Sequence, residues 1–159
     1  MKTILFNLFF LFLFVSINAQ SLQTTPVARI NGDQISMIVG KEVIINSVKS
    51  KDSKVTEVFD ILVEKEHDFC YLLFKTKKGT QTFSWAIQLN PLEPGSLMLG
   101  PNGTTHTCTG YCCESCTFTR NPAGEITGCW CGRAAESIQC QTEARCDHTV
   151  SSGSGVVLD

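Results

Sequence analysis

From residue 27 to residue 89 the chain alternates between short apolar runs and polar breaks, and the spacing within the runs predicts strands. Ile35-Ser-Met-Ile-Val39 and Glu42-Val-Ile-Ile-Asn46 are β-branched runs on either side of Gly40-Lys41, which reads as an early hairpin. From Val55 to Lys65, Phe59, Ile61 and Val63 alternate with Asp60 and Glu64 as on a half-buried strand, and Leu62 breaks the pattern. Glu66-His-Asp68 is a polar break. Phe69 to Phe74 then reads as a strand apolar on both faces. Lys77-Lys-Gly79 is expected to form a three-residue hairpin loop, with Gly79 at positive φ. Thr82 to Leu89 returns with large apolar residues at every second position. That loop puts Phe69, Tyr71 and Leu73 on one face with Phe83, Trp85 and Ile87. Cys70, Leu72 and Phe74 take the other face beside Ala86. A three-stranded meander with an earlier hairpin is the simplest arrangement.

The pattern changes past residue 108, where large apolar residues become sparse and eight of the nine cysteines gather. A segment with so little apolar surface needs crosslinks or metal to hold a fold. The expected organisation is a signal peptide at 1–19, a β-rich domain at 25–92, a linker at 93–104, a cysteine-rich module at 105–149 and a flexible tail at 150–159. The linker rests on the punctuation of Asn90-Pro-Leu-Glu-Pro-Gly95 and Gly100-Pro-Asn-Gly103. The fold class is mainly β: a small antiparallel β-sheet domain followed by a small disulfide-rich β-hairpin module. The best helical candidate is the short stretch from Ala134 to Ala144.

Inside the module, Asn121-Pro-Ala-Gly124 has the residue preferences of a type I turn. A three-residue loop with Gly124 left-handed sets Asn121 opposite Glu125. It gathers Cys116, Phe118, Ile126 and Trp130 on one face, whereas a two-residue loop scatters them. This register predicts that Cys116 and Cys129 point to opposite faces and do not bond. Cys112 and Cys113 are adjacent and should reach two different partners.

The cysteines admit three readings. Disulfides come first, formed by Cys108, Cys112, Cys113, Cys116, Cys129, Cys131, Cys140 and Cys146. Their number is even, and an exported chain meets an oxidising environment. Zinc is second: Cys113, Cys116, Cys129 and Cys131 resemble paired knuckles, although the second pair has one intervening residue instead of two to four. A redox pair at Cys113-Glu-Ser-Cys116 is third, because a strand-like Thr117-Phe-Thr119 follows where a helix N-terminus would be needed to lower a thiol pKa. Cys70, alone among apolar neighbours, is expected to be a free buried thiol, with a bridge between the halves or between chains as the alternative. A Cys70–His67 catalytic pair is weak, since a strand would point the two apart.

The chain opens MKTILFNLFFLFLFVSINAQ, with Lys2 before an apolar run of about a dozen residues and a small residue at Ala19. This is the layout of a secretory signal peptide, and the run is shorter than the ~20 residues of a membrane span. The net charge of −2 gives no sign of a nucleic-acid partner. The basic cluster Lys75-Thr-Lys-Lys78 reads as a solvated hairpin tip. Asn102-Gly-Thr104 fits a possible N-glycosylation site at Asn102. The acidic residues are scattered, so no catalytic pair is assigned, and no cofactor is expected. The functional expectation is a secreted or periplasmic, disulfide-stabilised binding protein for an unknown extracytoplasmic protein or ligand, without a membrane span after signal cleavage. An exported zinc-binding protein is the first alternative. A secreted enzyme, whose site would have to be built by His67, His106 or His148 beside a carboxylate, is the second.

Overall fold

The structure, a computed structural model, describes residues 25–79, 81–134, 140 and 144–152. It is mainly β. Strands β1 (Ala28–Asn31) and β2 (Gln34–Met37) form a hairpin, helix α1 (Lys41–Lys51) follows, and β3 (Glu57–Glu66), β4 (Phe69–Lys78), β5 (Gln81–Pro91) and β6 (Met98–Tyr111) make an antiparallel meander. β7 (Cys113–Arg120) and β8 (Ile126–Ala134) form a separate two-stranded hairpin, and β9 (Arg145–Ser152) returns to the main sheet. The sheet order is β2-β1-β6-β5-β4-β3. β6 carries β5 along one edge, and β1 and β9 end to end along the other. β2 lies against β3, so the sheet curls nearly into a barrel. The segment expected as a linker at 93–104 is crossed by β6, and β9 takes residues 150–152 into the same sheet. The expected signal peptide at 1–19 and most of the helical candidate at 134–144 lie outside the described residues.

The stretch 42–46, expected as a strand, is helix. Its β-branched residues suggested β, but Ile44 and Val48 stand one turn apart and both enter the core. Glu42 in the first turn and Lys49 and Lys51 in the last complement the helix dipole. The core that α1 closes holds Val27, Val58, Ile61, Leu72, Phe74, Ile87, Leu89 and Leu99.

The β4–β5 loop also differs from expectation. Lys78 pairs with Gln81, leaving two residues between them, with Gly79 at φ +57. The pairing therefore moves by an odd number of residues, and the face assignments exchange. Cys70, Leu72 and Phe74 share the helix-facing side with Leu89, Ile87 and Trp85, and the rings of Phe74 and Trp85 stack. The Trp85 indole N–H donates to the hydroxyl of buried Thr76 at 2.8 Å. In β3, a bulge at Asp60 (φ +52) shifts the register between Phe59 and Leu62. It places Val58 and Ile61 together in the core and turns Leu62 to the other face, 45% exposed.

The β7–β8 hairpin crosses that other face. Its turn has the expected three-residue form: the Asn121 amide donates to the Glu125 carbonyl, and Gly124 sits at φ +90. Past the turn, Thr127 is an extra residue that shifts the pairing, so Phe118 faces Cys129 and Cys116 faces Cys131. Ile126 is buried and Phe118 partly so, but Trp130 is 59% exposed and does not join them. Cys116 and Cys129 remain unbonded to each other, but for a reason other than opposite faces: each bonds to the sheet.

Gly124 anchors the hairpin tip. A Cβ there would lie 2.4 Å from the Glu66 carbonyl oxygen, whereas one on Gly79 would meet nothing within 4 Å. Gly124→Ala is therefore expected to cost more than Gly79→Ala, for which left-handed backbone alone costs about 1–2 kcal/mol. Urea unfolding of the two variants checks this; equal losses would mean that the tip does not rest on the β3–β4 turn.

Candidate functional site

The even-numbered residues of β6 and β9 face the hairpin, because Cys108 pairs with His148 and Gly110 with Cys146. Two cysteines of this face meet two of the hairpin. Cys108–Cys129 ties β8 to β6, and Cys116–Cys146 ties β7 to β9. Cys113–Cys131 crosslinks the hairpin, and Cys112–Cys140 fastens the turn before it. Adjacent Cys112 and Cys113 thus reach separate partners. Cys113 and Cys116 are not bonded to each other and sit on a strand, without the helix N-terminus that a redox pair uses.

Polar contacts fix the pose of the hairpin. The Ser84 hydroxyl donates to the Cys116 carbonyl at 2.8 Å, in a buried position. The Ile126 amide donates to the Tyr71 hydroxyl at 3.3 Å. Tyr71, fully buried, has its pKa raised by desolvation, so it remains a neutral phenol. Phe69, Leu73, Ala86 and Phe118 complete this second apolar cluster.

Of the four cysteines considered as zinc ligands, Cys129 lies with Cys108. The sulfurs that converge are those of Cys113, Cys131 and Cys146, all within 4.8 Å of one another. Cys70 carries a free thiol, buried among Leu72, Phe74 and Ile87, and burial raises its pKa. His67 stands in the exposed β3–β4 turn at φ +53 beside Glu66, so it and Cys70 are not brought together. Asn102 is in β6, with its side-chain oxygen accepting the Thr104 amide at 2.8 Å.

His106 and His148 do meet. Their nearest ring nitrogens are 3.2 Å apart, their planes lie within 4°, and their centroids are 5.4 Å apart. The centroid separation exceeds the nitrogen separation by about two ring radii, so the nitrogens lie near the line joining the rings. One N–H donates to the other ring's lone pair, an arrangement available only when at least one ring is neutral. Tyr71 packs edge-on against His106. Burial lowers both pKa values, and the His148 charge lowers that of His106 further, against an opposing pull from Glu125.

Between β7 and the β3–β4 side of the sheet opens a cleft of about 640 Å³. Leu62, Leu73 and Ser84 line it from the sheet, and Cys116, Phe118 and Arg120 from β7. Three cations (Lys41, Lys75, Arg120) stand against two carboxylates (Asp60, Glu64) around it. Lys75 pairs with Asp60 at 2.8 Å, and an Arg120 Nη with Glu64 at 3.2 Å. The Arg120 guanidinium also lies 5.8 Å from the Tyr71 ring centre. Its Nε is buried and has no hydrogen-bond partner among the described residues. Sequence reasoning missed this cleft; the one signal was Leu62, the residue that broke the alternation of β3.

The chain matches no protein-family model, and searches of the curated proteins and of the solved structures return no match.

Two outcomes follow from the buried thiol and the histidine pair. Thiol titration without reductant should find no reactive thiol in the native protein and one per chain after unfolding; several would break the disulfide assignment. Because both histidines titrate below the ordinary value of 6.5 when folded, the unfolded chain binds more protons in the window between. Stability is full above 6.5 and is lost as pH falls through that window towards the lowered folded values. His106→Gln should flatten this limb of a urea-unfolding profile against pH, and an unchanged limb would assign the acid sensitivity to other groups.

Proposed function

We propose that the protein is an exported, disulfide-stabilised binding protein, and that the cleft beside β7 takes an amphipathic ligand whose anionic oxygen sits on Arg120. Arg120 Nε carries this reading. A buried donor left unpaired costs about 1–3 kcal/mol, a cost that an acceptor oxygen from a ligand removes. Glu64 and Tyr71 hold the guanidinium in place, so little side-chain entropy remains to be lost on binding. Leu62, Leu73 and Phe118 offer apolar surface to the rest of the ligand, and Leu62 is exposed there. The surplus of one cation favours an anionic head group over a neutral one.

Export rests on the tripartite N-terminus and on the disulfides, which fit an oxidising compartment. Among the described residues, no helix is long and apolar enough to cross a membrane. An enzymatic reading has weaker support, because His67 faces solvent and His106 and His148 bond to each other.

Anilinonaphthalene sulfonate, an apolar probe with one sulfonate, tests the cleft. The oxidised protein should bind it saturably at one site per chain. Leu62→Glu should weaken binding at least about ten-fold by placing a charge on apolar surface. Arg120→Gln should also cost about ten-fold, the worth of one charge-assisted hydrogen bond. No saturable rise in fluorescence, or equal binding by both variants and the parent, would end the proposal.

A further inference from the structure

We infer that the reduced chain has a zinc site built from Cys113, Cys116, Cys131 and Cys146, and that zinc there performs the task the disulfides perform in the oxidised protein. The Sγ atoms of Cys113, Cys131 and Cys146 lie within 4.8 Å of one another. The fourth, on Cys116, is one bond from Cys146. Between the two disulfides, the Cys113 and Cys146 sulfurs are 3.7 Å apart. With Zn–S bonds of about 2.3 Å, a tetrahedral site sets its sulfurs about 3.8 Å apart. The spacing across the disulfides is thus already that of one edge of the tetrahedron. Reduction relaxes the two bonded pairs towards the same distance.

Gly110 of β6 supports the cluster from beneath. A Cβ there would lie 3.1 Å from Cys116 Sγ, a tight contact that would push the sulfur back by a few tenths of an ångström, and 3.4 Å from Cys113 Cβ. The set comes from three strands: Cys113 and Cys116 on β7, Cys131 on β8 and Cys146 on β9. A metal at their centre would hold the hairpin on β9, as Cys116–Cys146 does, and crosslink it, as Cys113–Cys131 does. Cys129, which the spacing of the sequence alone would have chosen, lies outside this cluster, beside Cys108 of β6. The knuckle Cys113-Glu-Ser-Cys116 is retained, and its partners become Cys131 and Cys146.

The chain is synthesised with free thiols, so this state needs no reductant to arise. Zinc binding replaces four S–H bonds by four Zn–S bonds and releases four protons, leaving a site of charge −2. Sulfurs committed to disulfides have no thiolate to give, so zinc and the two disulfides exclude each other. The cluster then has two uses in sequence: metal organises the hairpin first, and thiol–disulfide exchange with two external disulfides then forms the two bonds, reduces each external disulfide to two thiols, takes up four protons and releases Zn²⁺.

The full chain, reduced with a phosphine that is then removed, is titrated with Co²⁺ and back-titrated with Zn²⁺ under anaerobic conditions. In reduction, each phosphine takes its oxygen from water and each disulfide becomes two thiols. One metal per chain is expected, with the visible spectrum of tetrahedral cobalt thiolate. Removing a partner that only orients a metal ligand costs about 10–100-fold in affinity, so losing a ligand should cost at least as much. Cys146→Ser should therefore weaken binding at least about ten-fold, while Cys129→Ser leaves it within a few-fold. The proposal is overturned by an absence of stoichiometric binding, by Cys129→Ser weakening binding while Cys146→Ser does not, or by binding equally tight in concentrated urea. The last outcome would mean unstructured thiols. The Cys129→Ser control removes one thiol from the same hairpin without touching the four ligands, so it separates loss of a ligand from the loss of any one cysteine of the reduced chain.

Discussion

The bonds Cys108–Cys129 and Cys116–Cys146 hold a hairpin on a sheet face that it could not otherwise keep. A two-stranded hairpin is marginal alone in water. This one brings Ile126 and Phe118 to the interface while Trp130 stays in solvent. The bonds close loops with sequence separations of 21 and 30, and each restricts the unfolded chain by about 3 kcal/mol. The two loops overlap, so the effects do not simply add. Once the hairpin is tethered, weaker contacts choose its pose: Ser84 on the Cys116 carbonyl, Tyr71 on the Ile126 amide, and Gly124 against the Glu66 carbonyl.

From that pose the remaining features follow. β4 is apolar on both sides because one side meets the α1 core and the other meets the hairpin. Its interior position makes Cys70 an inert thiol and Tyr71 a neutral hydrogen-bond acceptor. The hairpin is anchored at its base to β6 and β9 and at its tip to the β3–β4 turn. It therefore crosses the face instead of covering it, and the uncovered part beside β3 is the cleft.

Much of this was legible in the sequence where local chemistry decides. The β-rich character, the turn at Asn121-Pro-Ala-Gly124 and the separate partners of Cys112 and Cys113 all follow from residue types and short-range geometry. The errors of face share one cause, which is that a shift of one position reverses every face. The bulges at Asp60 and Thr127, and the two-residue β4–β5 loop, each make such a shift, and none has a strong local signature. Helix α1 was hidden differently. Reading only 42–46 shows β-branched residues, whereas the window to Lys51 shows Ile44 and Val48 one turn apart and charges placed to suit a helix dipole. The cleft was invisible because Arg120 and Leu62 are 58 positions apart in sequence and meet only through the docking of the hairpin.

Cys116 belongs to both the sulfur cluster and the cleft wall, and that overlap has a thermodynamic consequence. β7 carries Cys113 and Cys116 as well as Phe118 and Arg120, within one strand of eight residues. Any change in the sulfurs that displaces this strand also displaces the guanidinium and ring that line the cleft. If reduction weakens the cleft by some factor, linkage requires that a bound ligand resist reduction of the same bonds by that factor. An independent sheet domain with an appended cysteine module would show no such coupling, because its binding surface and its crosslinks would lie on different elements. Here one strand, β7, carries both the cysteines and the cleft wall, and the state of the disulfides becomes a property of the cleft.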